Sequence, residues 1–349
     1  MTRPSKPNPG SDPRTRPTIE EVARAAEVSQ TTVSHVLNGK GRVDVRTRER
    51  VLAAALNLGY RPSLAARSLA SGRTFTLGLS LPRVPWQSLT ELIASEWYAR
   101  MIACAAHRAT ERRYGIAVLP DLQDVHDCRS YAVDGVLVLD PSFNDSRLDL
   151  LQEAGIAHVA LGRDLAHTRV PCVAPDMGGG LRALLGHVSE RGARRVLMLA
   201  APAEWSYYVE EVEAARDWAG TSKVEVSRIE VGGDARDRET LMSAVSQAAG
   251  AALCGFDPPD TIIGLLGDFG ANIMLAAVAC GLAVPRDVRV AQDVDTSSTQ
   301  VVTPAITALD PLPYVQARAA IDLLIEVVER TCVEVMVTTP VTLRVRAST

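Results

Sequence analysis

The stretch from Thr18 to Asn38, TIEEVARAAEVSQTTVSHVLN, constrains the rest of the chain most strongly. Thr18 and Glu21 have the spacing of a capping box, which predicts a first helix that runs to about Ala25. Ser29 repeats the N-cap role and predicts a second helix with a polar outward face. Two short helices joined by a tight turn form a helix-turn-helix, whose second helix enters the major groove of DNA. An ordinary helical hairpin with a solvated polar face is the alternative.

The charge distribution favours the DNA-binding interpretation. Residues 1–73 contain 13 Lys and Arg against 6 Asp and Glu, a net charge of +7, whereas the rest of the chain carries −11. A basic segment on an acidic body is what binding to phosphates requires.

The composition is that of a globular protein with two or three compact units, because 47% of the 349 residues are hydrophobic. The chain has no apolar run of membrane-spanning length, and its start lacks the hydrophobic core of a signal peptide. We therefore expect a cytoplasmic protein without membrane contact. The six cysteines are widely spaced, without a CxxC pair or a His cluster, so the sequence suggests neither a metal site nor a disulfide framework.

Composition also divides the first part of the chain. Residues 1–16 are predicted to be a disordered basic tail, either solvated or in weak contact with DNA phosphates. Residues 17–62 are the predicted DNA-binding domain, in which Asp44 caps a third helix and Gly59 ends it. The inward face of that helix is predicted to carry Val51, Leu52, Ala55 and Leu58. Residues 63–74 suit either a plain linker or a helix that needs a partner to fold.

From Phe75 onward, apolar runs alternate with helical stretches. The runs, which are typical of strands buried on both faces, are 76–81, 116–119, 135–139, 158–161, 196–199, 261–266 and 288–291. The helical stretches include 97–113, 177–191, 238–249 and 269–281. This βαβ repetition predicts that residues 75–349 form an α/β core of two doubly wound parallel-sheet subdomains, with a ligand beyond the carboxyl ends of the strands.

Three segments closely resemble the start of lactose-repressor/galactose-repressor (LacI/GalR) family regulators: PTIEEVARAAEVSQTTVSHVLNG, TRERVLAAALNLGYRP and AARSLASGRTFTLGL. The resemblance continues more weakly to the C-terminus. It implies an all-α helix-turn-helix headpiece, a hinge helix at 63–74 that folds on the operator, and a periplasmic-binding-protein-like core that dimerises and binds a small effector between its subdomains. Because the chain stops at Thr349 without a C-terminal heptad helix, we expect a homodimer on a pseudo-palindromic operator in double-stranded DNA.

The resemblance also assigns the DNA contacts. Base edges would be met by Gln30, Thr31 and His35. Phosphates would be contacted by Thr18, Thr32, Ser34, Asn38 and Thr47. Leu69 would wedge into the minor groove at the operator centre. Two positions depart from the family: Glu27 stands where Gly is usual in the turn, and His35 stands where Arg is common.

For the effector site, the resemblance implies Trp97, Tyr98 and Asp268, and with less specificity Arg163 and Tyr208. The usual pocket arginine is replaced around Tyr207 and Tyr208, the usual aromatic platform falls near Ala235, and a later acid is Val294, so a typical sugar clamp is incomplete. The segment before Trp97 is longer than usual, and residues 121–133 are too short for the customary helix. Ordinary packing of Trp97 and Tyr98, and helix capping by Asp268, are the alternatives.

We therefore expect an effector-responsive transcription regulator, most simply a repressor, with no catalytic residues, metal or cofactor. The rival class is an α/β enzyme. Against it, the sequence contains no GxSxG, HExxH or GxxxxGK[ST] motif and no GxGxxG after a strand. A secreted sugar-binding protein would not need the headpiece. The sequence leaves open whether the effector is a sugar or another metabolite, and whether it releases DNA or acts as a co-repressor.

Overall fold

Three short helices open the described part of the chain: α1 (Ile19–Ala25), α2 (Gln30–Leu37) and α3 (Val45–Asn57). The computed structural model describes residues 17–37, 43–60, 68, 71–202, 205–331 and 335–349. These separate into two compact units, Met1–Thr74 and Phe75–Thr349. The predicted tail and most of the predicted hinge lie outside the described residues, as do Asn38 and Leu69, so those assignments stay predictions.

Hydrogen bonds fix the starts of the first two helices. The Thr18 N–H donates to Glu21 Oε2 over 2.8 Å, and the Glu21 N–H donates to Thr18 Oγ1 over 3.3 Å, which is the predicted capping box. At α2, Ser29 Oγ accepts from the Thr32 N–H over 3.1 Å. These caps satisfy amide groups that have no partner inside their helix.

The three helices close a small apolar core, whose buried members are each at most 6% exposed: Val22, Ala23, Ala26, Val33, Val36, Val51 and Ala55. The prediction that Leu52 and Leu58 also face inward is wrong, because they are 49% and 38% exposed. Val51 and Ala55 are four residues apart and share one face of α3. Leu52 is rotated by about 100° from Val51, and Leu58 follows the last turn.

The turn between α1 and α2 places Glu27 in the left-handed region, with φ +54°. The turn is closed by the Val28 N–H, which donates to the Ala23 carbonyl over 3.0 Å. A side chain in this region costs about 1–2 kcal/mol. The glutamate therefore adopts the conformation for which glycine is suited.

The second unit contains two six-stranded sheets, which confirms the prediction of two subdomains. The first sheet has the order β11-β5-β4-β3-β1-β2 and the second β12-β10-β9-β8-β6-β7, and the described pairs are parallel except β10 with β12. The strands are β1 (Thr76–Ser80), β2 (Gly115–Val118), β3 (Gly135–Leu139), β4 (Ala157–Leu161), β5 (Cys172–Pro175), β6 (Arg195–Ala200), β7 (Glu225–Glu230), β8 (Thr261–Leu265), β9 (Arg289–Gln292), β10 (Thr307–Asp310), β11 (Met336–Thr339) and β12 (Thr342–Arg344).

The described helices of this unit are α4 (Leu89–Ala94), α5 (Glu96–Glu111), α6 (Val125–Ser130), α7 (Ser146–Ala154), α8 (Met177–Glu190), α9 (Ser206–Thr221), α10 (Arg238–Leu253), α11 (Phe269–Ala279), α12 (Ser297–Val301) and α13 (Pro313–Glu329). The chain passes between the subdomains after β5, after β10 and after β11. Accordingly, α8 packs beside β10 and β12 of the second sheet, whereas α13 packs on β3, β4 and β5 of the first. Each subdomain is thus built from separate segments of the chain.

The seven predicted strands are present, with ends that differ from the prediction by one residue at most. Five described strands were not predicted: β5, β7, β10, β11 and β12. β7 is marked by no apolar run, because its residues are almost all exposed. The segment 121–133, which is too short for the customary helix, contains the six-residue helix α6.

Two of the cysteines are paired, which corrects the expectation of no disulfide. Cys254 and Cys280 form a disulfide at the C-terminal ends of α10 and α11, 26 residues apart in the sequence. Only the side-by-side packing of these two helices brings the cysteines together, so their spacing gave no signal. None of the described helices is long and apolar enough to cross a bilayer. Across the same residues, no group of three or more His, Cys, Asp or Glu could hold a metal ion.

Candidate functional site

The outward face of α2 is polar, while Val33 and Val36 face the core. The exposed residues on this face are Gln30, Thr31 and His35, and the partly exposed ones are Thr32 and Ser34. The Thr32 hydroxyl lies 2.9 Å from the Ser29 hydroxyl. One helix thus presents five of the predicted DNA contacts.

Two further predicted contacts lie at helix starts. Thr18 is the exposed N-cap of α1, and Thr47 is the partly exposed third residue of α3. Helix N-termini favour anions because their first N–H groups have no partner in the helix. At α3, however, the Thr47 N–H already donates to Asp44 Oδ1 over 2.9 Å, so a carboxylate stands beside this position.

In the second unit, a cavity of about 1100 Å³, including the part open to solvent, lies between the two subdomains. Its lining includes residues that directly follow parallel strands: Asp140 after β3, Gly162 after β4, Leu266 after β8, Val294 near the end of β9 and Pro311 after β10. Ligands of doubly wound sheets bind at this position. The structure brings together four of the five predicted effector residues in the lining: Trp97, Tyr98, Arg163 and Asp268.

Trp97 and Tyr98 form part of the wall on the first subdomain. The Tyr98 hydroxyl donates to Asp140 Oδ2 over 2.6 Å. Burial raises the pKa of Asp140 to about 6, although the bond from Tyr98 and the nearby charge of Arg147 act in the opposite direction. Tyr98 therefore both packs in the core and holds an acid at the cavity surface.

Tyr208 does not line the cavity, and its neighbour Tyr207 does. Tyr208 is only 3% exposed, and its hydroxyl donates to the Leu265 carbonyl at the end of β8. The Tyr207 ring stacks on Trp205 with 5.5 Å between ring centroids. The predicted position is thus displaced by one residue along α9.

Arg163 connects the subdomains at the cavity wall. Its guanidinium lies 2.7 Å from Glu210 of α9, and its backbone N–H donates to Ser206 Oγ over 3.2 Å. Its Nε is buried and has no hydrogen-bond partner among the described residues. An unpaired buried donor is costly, so this atom is suited to bind an acceptor on a ligand.

Asp268 stands just before α11 with φ +73° and makes no side-chain cap, which argues against the alternative of helix capping. Its carboxylate instead forms an ion pair with Arg238, the first residue of α10. Both residues line the cavity, and both are partly accessible to solvent. The pair offers a donor and an acceptor to a ligand.

A second bridge joins the subdomains. Glu96 at the start of α5 accepts hydrogen bonds from the backbone N–H and the hydroxyl of Ser297, over 2.7 and 2.6 Å. Ser297 begins α12 of the second subdomain. The hydrogen bonds between Glu96 and Ser297 and the contacts of Arg163 together join the two sides of the cavity.

Two buried carboxyl groups lie in the second subdomain, each next in sequence to a residue that lines the cavity. Glu211 of α9 and Asp293 after β9 are 0% and 1% exposed, and three of their oxygens have no hydrogen-bond partner among the described residues. Burial raises the pKa of Asp293 to about 8. Burial, and then the charge of Asp293, raise the pKa of Glu211 well above its ordinary value. At neutral pH the pair therefore holds protons that the same side chains release in water.

Residues 18–63 match the model of bacterial regulatory proteins of the lacI family, and residues 185–349 match that of the periplasmic binding protein-like domain. The chain therefore has the helix-turn-helix domain of lacI-family regulators and a periplasmic binding protein-like domain. It is similar to the HTH-type transcriptional regulator CelR of Thermobifida fusca, with 28% identity over 90% of this chain and 92% of that protein. Catabolite control protein A of Staphylococcus xylosus is 24% identical over 84% of this chain and 86% of that protein.

Solved structures of LacI-family proteins have the same fold. A CelR–cellobiose complex is 26% identical, with a TM-score of 0.69 over 96% of this chain and all (100%) of that one. The lac repressor dimer bound to operator and the anti-inducer ONPF is 19% identical, with a TM-score of 0.71 over 96% and 99% of the two chains. The named relatives are regulators and not enzymes.

The cavity also has lining residues that the sequence did not indicate: Trp86, Glu210 and Arg238. Arg238 lies 30 residues from its partner Asp268, and only the packing of α10 on α11 joins them. Trp86 lies in the segment before Trp97. The predicted extra length of that segment was the one sign in the sequence that this side of the cavity would be unusual.

Proposed function

We propose that this protein is an operator-binding transcriptional repressor whose DNA affinity responds to a small molecule in the cavity of the second unit. The observation that carries the proposal is the exposed polar face of α2 on a capped three-helix core, within the segment that matches the LacI-family model. The relatives are regulators, which supports a function without catalysis.

In this proposal α2 reads the operator. Gln30, Thr31 and His35 contact base edges, since they are the most exposed residues of the outward face. Phosphate contacts come from Thr18, Thr32, Ser34, Asn38 and Thr47. Leu69 acts as the minor-groove wedge.

We propose that two copies bind a pseudo-palindromic operator, because symmetric dimers read symmetric half-sites. Leu275 and Val278 on α11 are 66% and 69% exposed, which supports α11 as part of the subunit contact. The solved lac repressor structure is likewise a dimer on its operator.

The effector class that fits the cavity best is a neutral carbohydrate. Trp86, Trp97 and Tyr207 supply apolar aromatic surface, and the ion pair of Arg238 with Asp268 supplies directed donors and acceptors. Hydroxyl groups of a sugar can use both at once. Cellobiose is the first compound to test, because the similar CelR structure holds it.

A second candidate is a non-sugar co-repressor with a carboxylate or phosphate group. The unpaired Nε of Arg163, in a guanidinium already aligned by Glu210, favours this candidate.

Operator selection from a random DNA library, followed by titration of the full-length protein on the selected DNA, tests the proposal. Cellobiose, other disaccharides and glucose 6-phosphate are then added to the complex. We expect a symmetric motif, a steep loss of affinity with salt, and a change of DNA affinity with one compound class. Recovery of random sequences would contradict operator recognition, and a sugar phosphate that strengthens DNA binding would select the second candidate.

A further inference from the structure

Residues 82–95, which we call the strap, connect β1 to α5 and form part of the first wall of the cavity. The strap contributes Trp86 and Gln87 to the cavity lining. Trp86 is only 4% exposed, and it packs with the core of the second unit. Trp86, the largest side chain of the strap, therefore lies between the apolar core and the cavity.

Local contacts hold the strap in place. The Gln87 N–H donates to the Val84 carbonyl over 3.3 Å, which closes a turn around Trp86. The Glu91 N–H donates to Ser88 Oγ over 3.3 Å, and the Ser88 N–H donates to Glu91 Oε2 over 2.8 Å, so α4 begins with a capping box. These contacts fix the indole before any ligand arrives, which lowers the entropy cost of binding against it.

Two anchors tie the strap to the first subdomain. Arg83 forms an ion pair of 2.5 Å with Asp121, and Leu92 of α4 is 2% exposed. The strap is therefore a fixed wall, because it is held near its start and through its short helix.

The strap shares the cavity with α10 of the second subdomain. Hydrogen bonds from Ser88 lower the pKa of Glu91, whereas the charge of the Asp237 carboxylate acts to raise that pKa. Asp237 caps α10, and the next residue is the cavity residue Arg238. Trp86 and Gln87 of the strap thus line the same cavity as Arg238 and Leu241 of α10.

We propose that the strap sets the length of the effector and that Trp86 is a specificity-determining residue, which packs against a terminal pyranose ring. The inference rests on the proposed carbohydrate effector. A sugar ring presents C–H groups that pack on an aromatic surface, and Gln87 beside it offers an amide to ring hydroxyls. A fixed indole at this wall limits how far a chain of rings extends toward α10.

The test is isothermal titration calorimetry of the full-length protein with glucose, cellobiose and cellotriose. The variants are Trp86→Ala, Trp86→Phe, and Trp218→Ala as the matched control, because Trp218 packs against the core from α9 but does not line the cavity. Operator affinity of each sample reports folding independently of the cavity.

We expect Trp86→Ala to weaken cellobiose binding by about tenfold or more, from the loss of buried apolar contact. The affinity for cellotriose relative to cellobiose should rise, because the wall recedes. Trp86→Phe should stay within about threefold of the unmodified protein, since an aromatic surface remains. Trp218→Ala should leave the sugar affinities unchanged.

Equal weakening of both oligosaccharides by Trp86→Ala would overturn the inference, because a merely structural residue would leave their ratio constant. Unchanged sugar binding by Trp86→Ala would overturn it too, while the proposed effector class would stand. If no sugar binds the unmodified protein, the inference and the carbohydrate class both fall, and the operator titration shows separately whether the regulator assignment survives.

Discussion

At the scale of single residues, His35 stands on the exposed face of α2 at a position where the sequence resemblance leads us to expect arginine. We expect His35→Arg to change the preferred base pair at one symmetric position, because arginine makes a bidentate contact with guanine that histidine cannot, worth about 1–3 kcal/mol of discrimination. Parallel operator selections with both proteins measure this.

The control is Leu56→Arg, which adds the same charge on α3, where Leu56 is 82% exposed. It should leave the motif unchanged. Identical motifs from His35→Arg and the unmodified protein would place this side chain away from the bases.

Asp268 is the second residue whose role can be isolated. Asp268→Asn should weaken effector binding by about tenfold or more, since losing one charged acceptor costs about 1–3 kcal/mol. Operator affinity without effector should stay near normal. Asp287→Asn is the control, because Asp287 pairs with Arg286 in an exposed ion pair that does not line the cavity. Calorimetry with cellobiose measures the effect, and equal affinities of the two variants would remove Asp268 from the site.

At the scale of elements, the helix-turn-helix carries a local conflict at Glu27. Glu27→Gly should stabilise the first unit by about 1 kcal/mol, because glycine adopts the left-handed conformation without the side-chain penalty. Slower hydrogen exchange of the α1 and α2 amides would report the gain. Glu49→Gly, within α3, should have the opposite sign, since glycine weakens a helix interior by about 1 kcal/mol. Faster exchange in Glu27→Gly would contradict the argument.

The buried carboxyl pair of Glu211 in α9 and Asp293 after β9 should make the free energy of unfolding depend on pH. The pKa of Asp293 is raised from 3.8 to about 8, so the folded chain binds more protons than the unfolded chain between these values. Unfolding free energy should therefore fall as pH rises from about 4 to 8, by up to about 1.4 kcal/mol per pH unit for each proton. Glu210, Tyr207, Tyr208 and Arg228 are the other charged or titratable groups acting on this pair.

Urea unfolding at several pH values measures this slope. The double variant Glu211→Gln with Asp293→Asn should flatten it relative to the unmodified chain, whereas Glu213→Gln, on the exposed side of the same helix, should not. Equal slopes in all three proteins would mean that the buried pair is already ionised.

Elements also show what the sequence could predict. Continuous apolar runs identified seven of the twelve described strands, because parallel strands covered on both faces have no polar side. The exposed edge strand β7 has no such run. In α9, the choice between Tyr207 and Tyr208 depends on a rotation of about 100°, which a short motif does not determine. The ion pair of Asp268 depends on how two helices pack, so Asp268 was predicted and Arg238 was not.

At the scale of the whole molecule, the proposed dimer contact in the second unit should determine how tightly the first unit binds the operator. We expect Leu275→Asp to dissociate the dimer, because a charge on an exposed apolar helix face must be desolvated in a subunit contact. Operator affinity should then fall, since each monomer reads only one half-site. Sedimentation and DNA titration measure the two effects. Phe143→Asp, a 58% exposed site on the other subdomain, is the control, and a dimeric Leu275→Asp protein would exclude α11 from the contact.

The three passages of the chain between the subdomains have a practical consequence. A protease that cuts one passage leaves the two lobes joined by the other two. A fragment that ends after β5 would lack β11 at the border of its sheet and α13 on its face, so neither lobe can be obtained by shortening the gene. Grafting the ligand-binding half of this regulator onto another would need three splice junctions, each placed within the few residues that connect the lobes.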